Sequence, residues 1–252
     1  MSVIGATLVR VTDVSDFDEY VADADQARDQ GTFTEFVTSP SVQLADLSAL
    51  GAGPACDGPR TRLYAGPSGS LSTSPGGAPL GHVGDELAAL DTRFDAINAG
   101  SPHPCAVGLG DRVPEDVRTK ALAERPWLGR YLAAIDAVRE LRARGVDEVR
   151  VSGFGHRLWA ASAEVARPAD ATDPTVPLLL WTDETAYVHC RAPGRTFQLD
   201  LAAGILAEAL LVNGSVEEAN RYADHAQLVQ VERFFADAGI RLTASEAWGT
   251  PR

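Results

Sequence analysis

After residue 176 the apolar pattern of the chain changes period, and that change limits the fold more than any other feature of the sequence. Three short runs, Pro177–Thr182, Thr185–Arg191 and Arg195–Asp200, are separated only by Asp183-Glu184 and by Ala192-Pro193-Gly194. Connections of two or three residues can only reverse a strand, so the spacing predicts an antiparallel meander.

The chain before it reads differently. Residues 3–11, VIGATLVRV, suit a buried strand. Ser15 then offers an N-cap, followed by Asp16, Asp18 and Glu19 where the helix dipole favours acids. Phe17, Tyr20, Val21 and Ala24 recur at helical spacing, and Gly31 ends the helix. Thr32–Thr38 reads as a second strand, which completes a β-α-β unit. A helix is predicted over 83–98, and a short strand over Cys105–Leu109 leads into Gly110-Asp111. Pro114 suits the first position of a helix running to Glu124, and a long amphipathic helix spans Trp127–Arg144. Val146–Ser152 reads as a strand, Leu201–Val212 as a helix, and Ser215 with Glu218 as a capping box opening a helix to about Ala238. Ile240–Thr243 is the candidate last strand. The expected fold class is α/β or α+β. It comprises a mixed sheet flanked by helices, an N-terminal β-α-β unit and an antiparallel meander in the second half.

Glycine, proline and serine dominate residues 51–81, which cannot bury enough apolar surface to order themselves strongly. Only Thr61–Ala65 suggests a strand there. The segment reads as a surface loop or as a lid over a ligand. It separates a lobe at 1–50 from a body at 82–252, or is a loop within one continuous domain.

The composition excludes several chemistries. The net charge of −13 opposes nucleic-acid and anionic-membrane binding. Lys120 is the sole lysine, so GK[ST] is absent and no P-loop NTPase is encoded; a Schiff-base or PLP mechanism would have to use that one residue. Cys56, Cys105 and Cys190 are odd in number and form no CxxC, which suggests neither a disulfide framework nor a zinc site. MSVIGATLVRVTD lacks the marks of a signal peptide, so a reduced, cytoplasmic protein is expected. His82, His103, His156, His189 and His225 are scattered without HExxH or HxH, and no metal is expected. No cofactor is indicated.

The candidate site is built on two glycine turns. Gly153-Phe154-Gly155-His156 follows a predicted strand, and so does Gly108-Leu109-Gly110-Asp111. Glycines that follow a strand and precede a helix let backbone N–H groups approach an anion. Leu158 occupies the place where a dinucleotide fingerprint wants a small residue, which argues against that cofactor. If the two strands were parallel neighbours, both turns would lie at their carboxyl ends, where open sheets bind ligands. The site would then hold Gly108, Gly110, Gly153 and Gly155 as a cradle, with Arg157, and further off Arg195, clamping an anion. His156 would be the acid or base, Asp111 would orient it or take the opposite proton role, and His189 is the alternative base. On a strand His189 and Cys190 face opposite sides and form no dyad.

Two functions follow. The first is a cytosolic enzyme of small-molecule, perhaps biosynthetic, metabolism, acting on a small anionic metabolite by acid–base or group-transfer chemistry. The second is a non-catalytic binding or partner subunit, with helices 127–144 and 216–238 serving homo-oligomer or partner contacts.

Overall fold

The computed structural model of the chain describes residues 5–53, 58–192 and 194–243. Among them it is mixed α/β, with eight α-helices, a 3-10 turn and three sheets. The chain divides into two compact units, one of residues 1–25 and 39–132, the other of residues 26–38 and 133–252.

In the first unit β1 (Thr7–Val9) pairs in parallel with β2 (Val42–Leu44), Thr7 opposite Val42. The connection contains α1 (Val14–Gln30), whose last turns belong to the second unit. A β-α-β unit is therefore present, but its second strand lies ten residues later than the sequence suggests. Residues 35–38 form a turn instead. The Thr38 hydroxyl donates to the carbonyls of Thr34 and Glu35 at 2.9 and 3.2 Å, the local bonding by which threonine competes with a strand ladder.

The Gly/Pro/Ser-rich segment is more regular than its composition predicts. Its described part builds an antiparallel sheet of β3 (Tyr64–Ala65), β4 (Ser70–Ser72) and β5 (Gly81–His82). Leu71 and Leu80 pack with Leu90 of α2 (Leu87–Ala99) and with Val107. Where the sequence predicts a strand at 105–109, the chain forms the helical turn α3 (Ala106–Leu109). Cys105 enters it in the left-handed region, at φ 66°, and is disulfide-bonded. The expectation of a chain without disulfides is thereby corrected; Cys56 lies outside the described residues. Helices α4 (Glu115–Glu124) and α5 (Leu128–Ala143) follow as expected.

The second unit is organised by the meander. Strands β6 (Arg150–Val151), β7 (Leu178–Trp181), β8 (Ala186–Cys190) and β9 (Arg195–Leu199) pair antiparallel in chain order. Leu179, Trp181, Val188 and Cys190 share a core with Leu210 and Leu211 of α6 (Leu201–Asn213). Asp200 caps α6 by accepting from the Ala203 amide at 2.7 Å, and Gly214 ends it at φ 75°. The predicted helix over 215–238 is two helices. Ser215 caps α7 (Val216–Ala219) as expected, but Asp224 caps a separate α8 (His225–Asp237) by accepting from the Gln227 amide at 3.0 Å. Residues 240–243 make no strand; Ile240 and Leu242 close the core from irregular backbone. Among the described residues no helix is long and apolar enough to cross a membrane.

Candidate functional site

The turn after β6 is tightly closed. The Gly153 amide donates to the His156 carbonyl at 2.9 Å, and the Phe154 amide to the Val151 carbonyl at 3.2 Å. Gly153 and Gly155 both take positive φ, 84° and 64°, where a side chain is strained. No α-helix begins here. A 3-10 turn, residues 160–164, follows instead, so this is not the strand–glycine–helix arrangement of a phosphate loop.

The turn is docked on the end of α1. The Gly155 amide donates to the Arg28 carbonyl at 2.9 Å, and Nη1 of Arg28 donates to the Gly153 carbonyl at 2.7 Å. Phe154 is fully buried against Phe33, ring centroids 5.4 Å apart, with the Arg28 guanidinium 5.7 Å from its ring. The exposed His156 ring lies over Gly31, where an added Cβ would fall 2.6 Å from Nε2.

Behind the turn runs a buried polar chain. Glu208 of α6 is wholly buried and accepts from the Ser152 hydroxyl at 2.6 Å, the Leu158 amide at 2.9 Å and the Trp159 amide at 2.7 Å. Arg157 donates from Nη1 to Ser152 Oγ at 2.8 Å and makes a two-pronged pair with Asp170, at 2.8 and 3.1 Å. Both partners are shielded, so this pair is a fixed part of the frame. Arg157 thus reaches any ligand already partly neutralised by Asp170.

Two cavities meet at this turn. One of about 420 Å³ is lined by His156, Arg157, Arg150, Leu158, Trp181 and Asp183, among others. The other, of about 260 Å³, is lined by His156 and Arg157 together with Arg28, Gly153, Gly155 and Ser162. Burial, and then the neighbouring Arg157 charge, lower the pKa of Arg28, while Asp170 and Asp29 oppose the shift.

Comparison of the chain with protein-family models, curated proteins and solved structures gives no match. The reading of the site therefore rests on its own geometry.

The other predicted site residues lie elsewhere. Gly108, Gly110 and Asp111 belong to the first unit, His156 and its turn to the second. With no strand at 105–109, the expected pair of glycine loops on adjacent strand ends does not form. Gly108 is buried in α3, where an added Cβ would come 2.9 Å from Ala49 Cβ. At Gly110 it would meet Ala78 Cβ at 3.0 Å. Close packing is what both positions require of a glycine here. Asp111 is exposed and, with Arg112 and a row of serines, lines a separate cavity of about 340 Å³.

His189 is buried on β8, its Nδ1 3.0 Å from Thr196 Oγ1 and 3.4 Å from Oε2 of Glu140. Burial pulls its pKa down, with Glu140 and Asp136 working in the opposite direction. Cys190 points into the core, and burial pushes its thiol up to about 11, which leaves it a poor nucleophile. Arg195 is exposed at the start of β9, donating to the Ala238 carbonyl at 3.4 Å. Among the described residues no group of His, Cys, Asp and Glu could hold a metal ion.

Sequence reasoning missed Arg28, Asp170, Glu208 and Ser162. Arg28 looks like an ordinary helix C-terminal cation, and Glu208 looks out of place in LAAGILAEALLVN. A lone carboxylate in so apolar a helix was the one available signal, since a buried charge must have partners.

Proposed function

We propose that this chain binds a small anionic metabolite at the 153–157 turn and acts on it by acid–base or group-transfer chemistry, with His156 as the acid or base. The observation that carries this reading is that His156, exposed and held over Gly31, lines two adjoining cavities that also share Arg157. An imidazole can both accept and donate a proton, and this one lines either cavity. The frame behind it is rigid, because Glu208, Ser152, Arg157 and Asp170 satisfy one another. A fixed shell of this kind is what positions a proton-transfer group. Asp111 has no part in this reading; the carboxylate that acts on the site is Asp170, through Arg157. A cytoplasmic location belongs to the same proposal, and the disulfide at Cys105 weighs against it, since cytosolic thiols are kept reduced.

The second reading, a non-catalytic partner or oligomer subunit, is favoured by one feature: α8 leaves Val229 and Phe234 exposed. Native mass spectrometry before and after mild denaturation separates the two. A small molecule released on denaturation, and lost in His156→Ala, supports the first. A ligand-free dimer that Phe234→Ser dissociates supports the second and overturns the first.

A further inference from the structure

The cavity of about 340 Å³ in the first unit is lined by Tyr64, Ser68, Ser70, Asp111 and Arg112, among others. Its volume falls within the range of roughly 300–1,000 Å³ found for small-molecule sites. The frame around it is held backbone to backbone. The Asp111 amide donates to the Gly76 carbonyl at 3.1 Å, and the Ala78 amide to the Val107 carbonyl at 2.8 Å. The buried Ser72 and Ser74 hydroxyls donate to the carbonyls of Ala78 and Gly108. An added Cβ at Gly76 would fall 2.7 Å from Cγ of Arg112, so the arginine stem lies against that turn. The β3–β4 hairpin, which carries Ser68 and Ser70, is closed by the Gly66 amide donating to the Ser70 carbonyl at 2.8 Å.

The side chains on this frame are accessible. Tyr64, Ser68, Asp111 and Arg112 are exposed, and Ser70 is half-buried. Among the described residues none of these five side chains makes a hydrogen bond or an ion pair. Asp111 and Arg112, although adjacent in the chain, do not pair with each other.

Their chemistry selects the ligand. A carboxylate only accepts, a guanidinium only donates, and a serine hydroxyl does both. One carboxylate offsets one guanidinium, so the cavity favours a ligand without net charge. An anion drawn to Arg112 would be repelled by Asp111. The Tyr64 ring adds an apolar surface whose negative face attracts polarised C–H bonds. A ligand that matches all five groups carries adjacent hydroxyls, no charge and a face of C–H bonds.

We propose that this cavity binds a neutral sugar ring. Asp111 accepts from one of two adjacent ring hydroxyls, and Arg112 donates to the oxygens of such a pair. Ser68 and Ser70 bond the hydroxyls further along, and the C–H face of the ring lies against Tyr64. The site belongs to the first unit and does not depend on the reading of the 153–157 turn.

The test is an NMR titration of the isotope-labelled whole chain with glucose, galactose, mannose and maltose, and separately with mannitol, glycine and inorganic phosphate. A saturable shift of the Ser68, Ser70, Asp111 and Arg112 amides by at least one of the sugars is expected. Asp111→Ala should weaken that binding roughly tenfold or more, the worth of hydrogen bonds to a charged group. Its melting temperature should not fall, because the carboxylate has no partner in the chain to lose. Tyr64→Ala should weaken binding as well, through loss of the ring face. Absence of saturable binding by every sugar, or undiminished binding by Asp111→Ala or Tyr64→Ala, overturns the proposal. So does tighter binding at the same amides of mannitol, which has the hydroxyls without the ring, or of glycine or phosphate.

Discussion

The Ser152 hydroxyl donates to Oε1 of Glu208 at 2.6 Å, and through this bond the end of β6 is tied to the middle of α6. The same carboxylate takes the amides of Leu158 and Trp159, so one wholly buried side chain receives three donors. Each would otherwise be an unpaired polar group away from water. Glu208→Ala should cost roughly 2–5 kcal/mol, the range for breaking a buried polar network. Urea unfolding measures this; a loss under about 1 kcal/mol would show that the network contributes little.

A second relationship concerns backbone against backbone. A Cβ at Gly155 would overlap the Gly31 amide nitrogen, and its φ is positive as well. Gly145 has a similar φ, 79°, but open space around it. Gly145→Ala should therefore cost only about 1–2 kcal/mol, the left-handed strain alone. Gly155→Ala adds displacement of the turn from α1 and should cost clearly more. Equal melting temperatures for the two variants would refute the close approach.

His189 makes the fold sensitive to mild acid. Burial lowers its pKa in the folded state, so the unfolded chain takes up a proton first as the pH falls. The full contribution is present above the unfolded value near 6.5 and is lost progressively below it. Glu140 and Asp136 moderate the effect, and Arg144 and Arg191 reinforce it. Melting temperature measured from pH 7.5 to pH 5 should fall more steeply for the wild-type chain than for His189→Gln. Parallel curves would mean that His189 titrates alike in both states.

The Arg118 side chain is wholly buried. It forks onto Glu115 with two bonds of 2.8 Å and donates to the carbonyls of Ala49, His103 and Pro104 at 3.1 Å. Arg118→Ala should cost about 3–5 kcal/mol, since it leaves the carbonyls of Ala49, His103 and Pro104 without this donor and Glu115 with only the Ser101 hydroxyl. Arg118→Lys cannot reproduce the planar fork and should recover only part of that. Full recovery by lysine would show that charge alone suffices at this site. Chemical denaturation of both variants decides it.

The thiols offer a direct chemical check. Cys190 is buried with its pKa pushed up to about 11, so it should resist iodoacetamide in the folded chain and react on unfolding. The proteolytic fragment containing Cys105 should change mass on reduction. An unchanged fragment would restore the expectation of a fully reduced chain.

The meander was legible from residue order because its information is local. Two- and three-residue connections such as Asp183-Glu184 admit only antiparallel neighbours, and alternation along Ala186–Cys190 sets which side chains enter the core. The Ser215 cap acts within three residues and reads equally well, whereas the Asp200 cap, read as the end of a strand, and the Asp224 cap that divides α7 from α8 went unseen. The stretches at 32–38 and 105–109 misled because their apolar content suits a strand, while the chain there is governed by Thr38 bonding back on itself and by Cys105 in a left-handed conformation.

Local residue order sets the strand order of the meander and most helix positions, and it places the tight turn at Gly153-Phe154-Gly155-His156-Arg157. Tertiary structure alone decided what that segment touches. Arg28 and Gly31 precede it by more than a hundred residues, and Glu208 follows it by about fifty. Their meeting depends on how the end of α1 and the middle of α6 pack around the turn. No local pattern records which carboxylate will balance Arg157, because that pairing is set by burial and geometry in the folded chain.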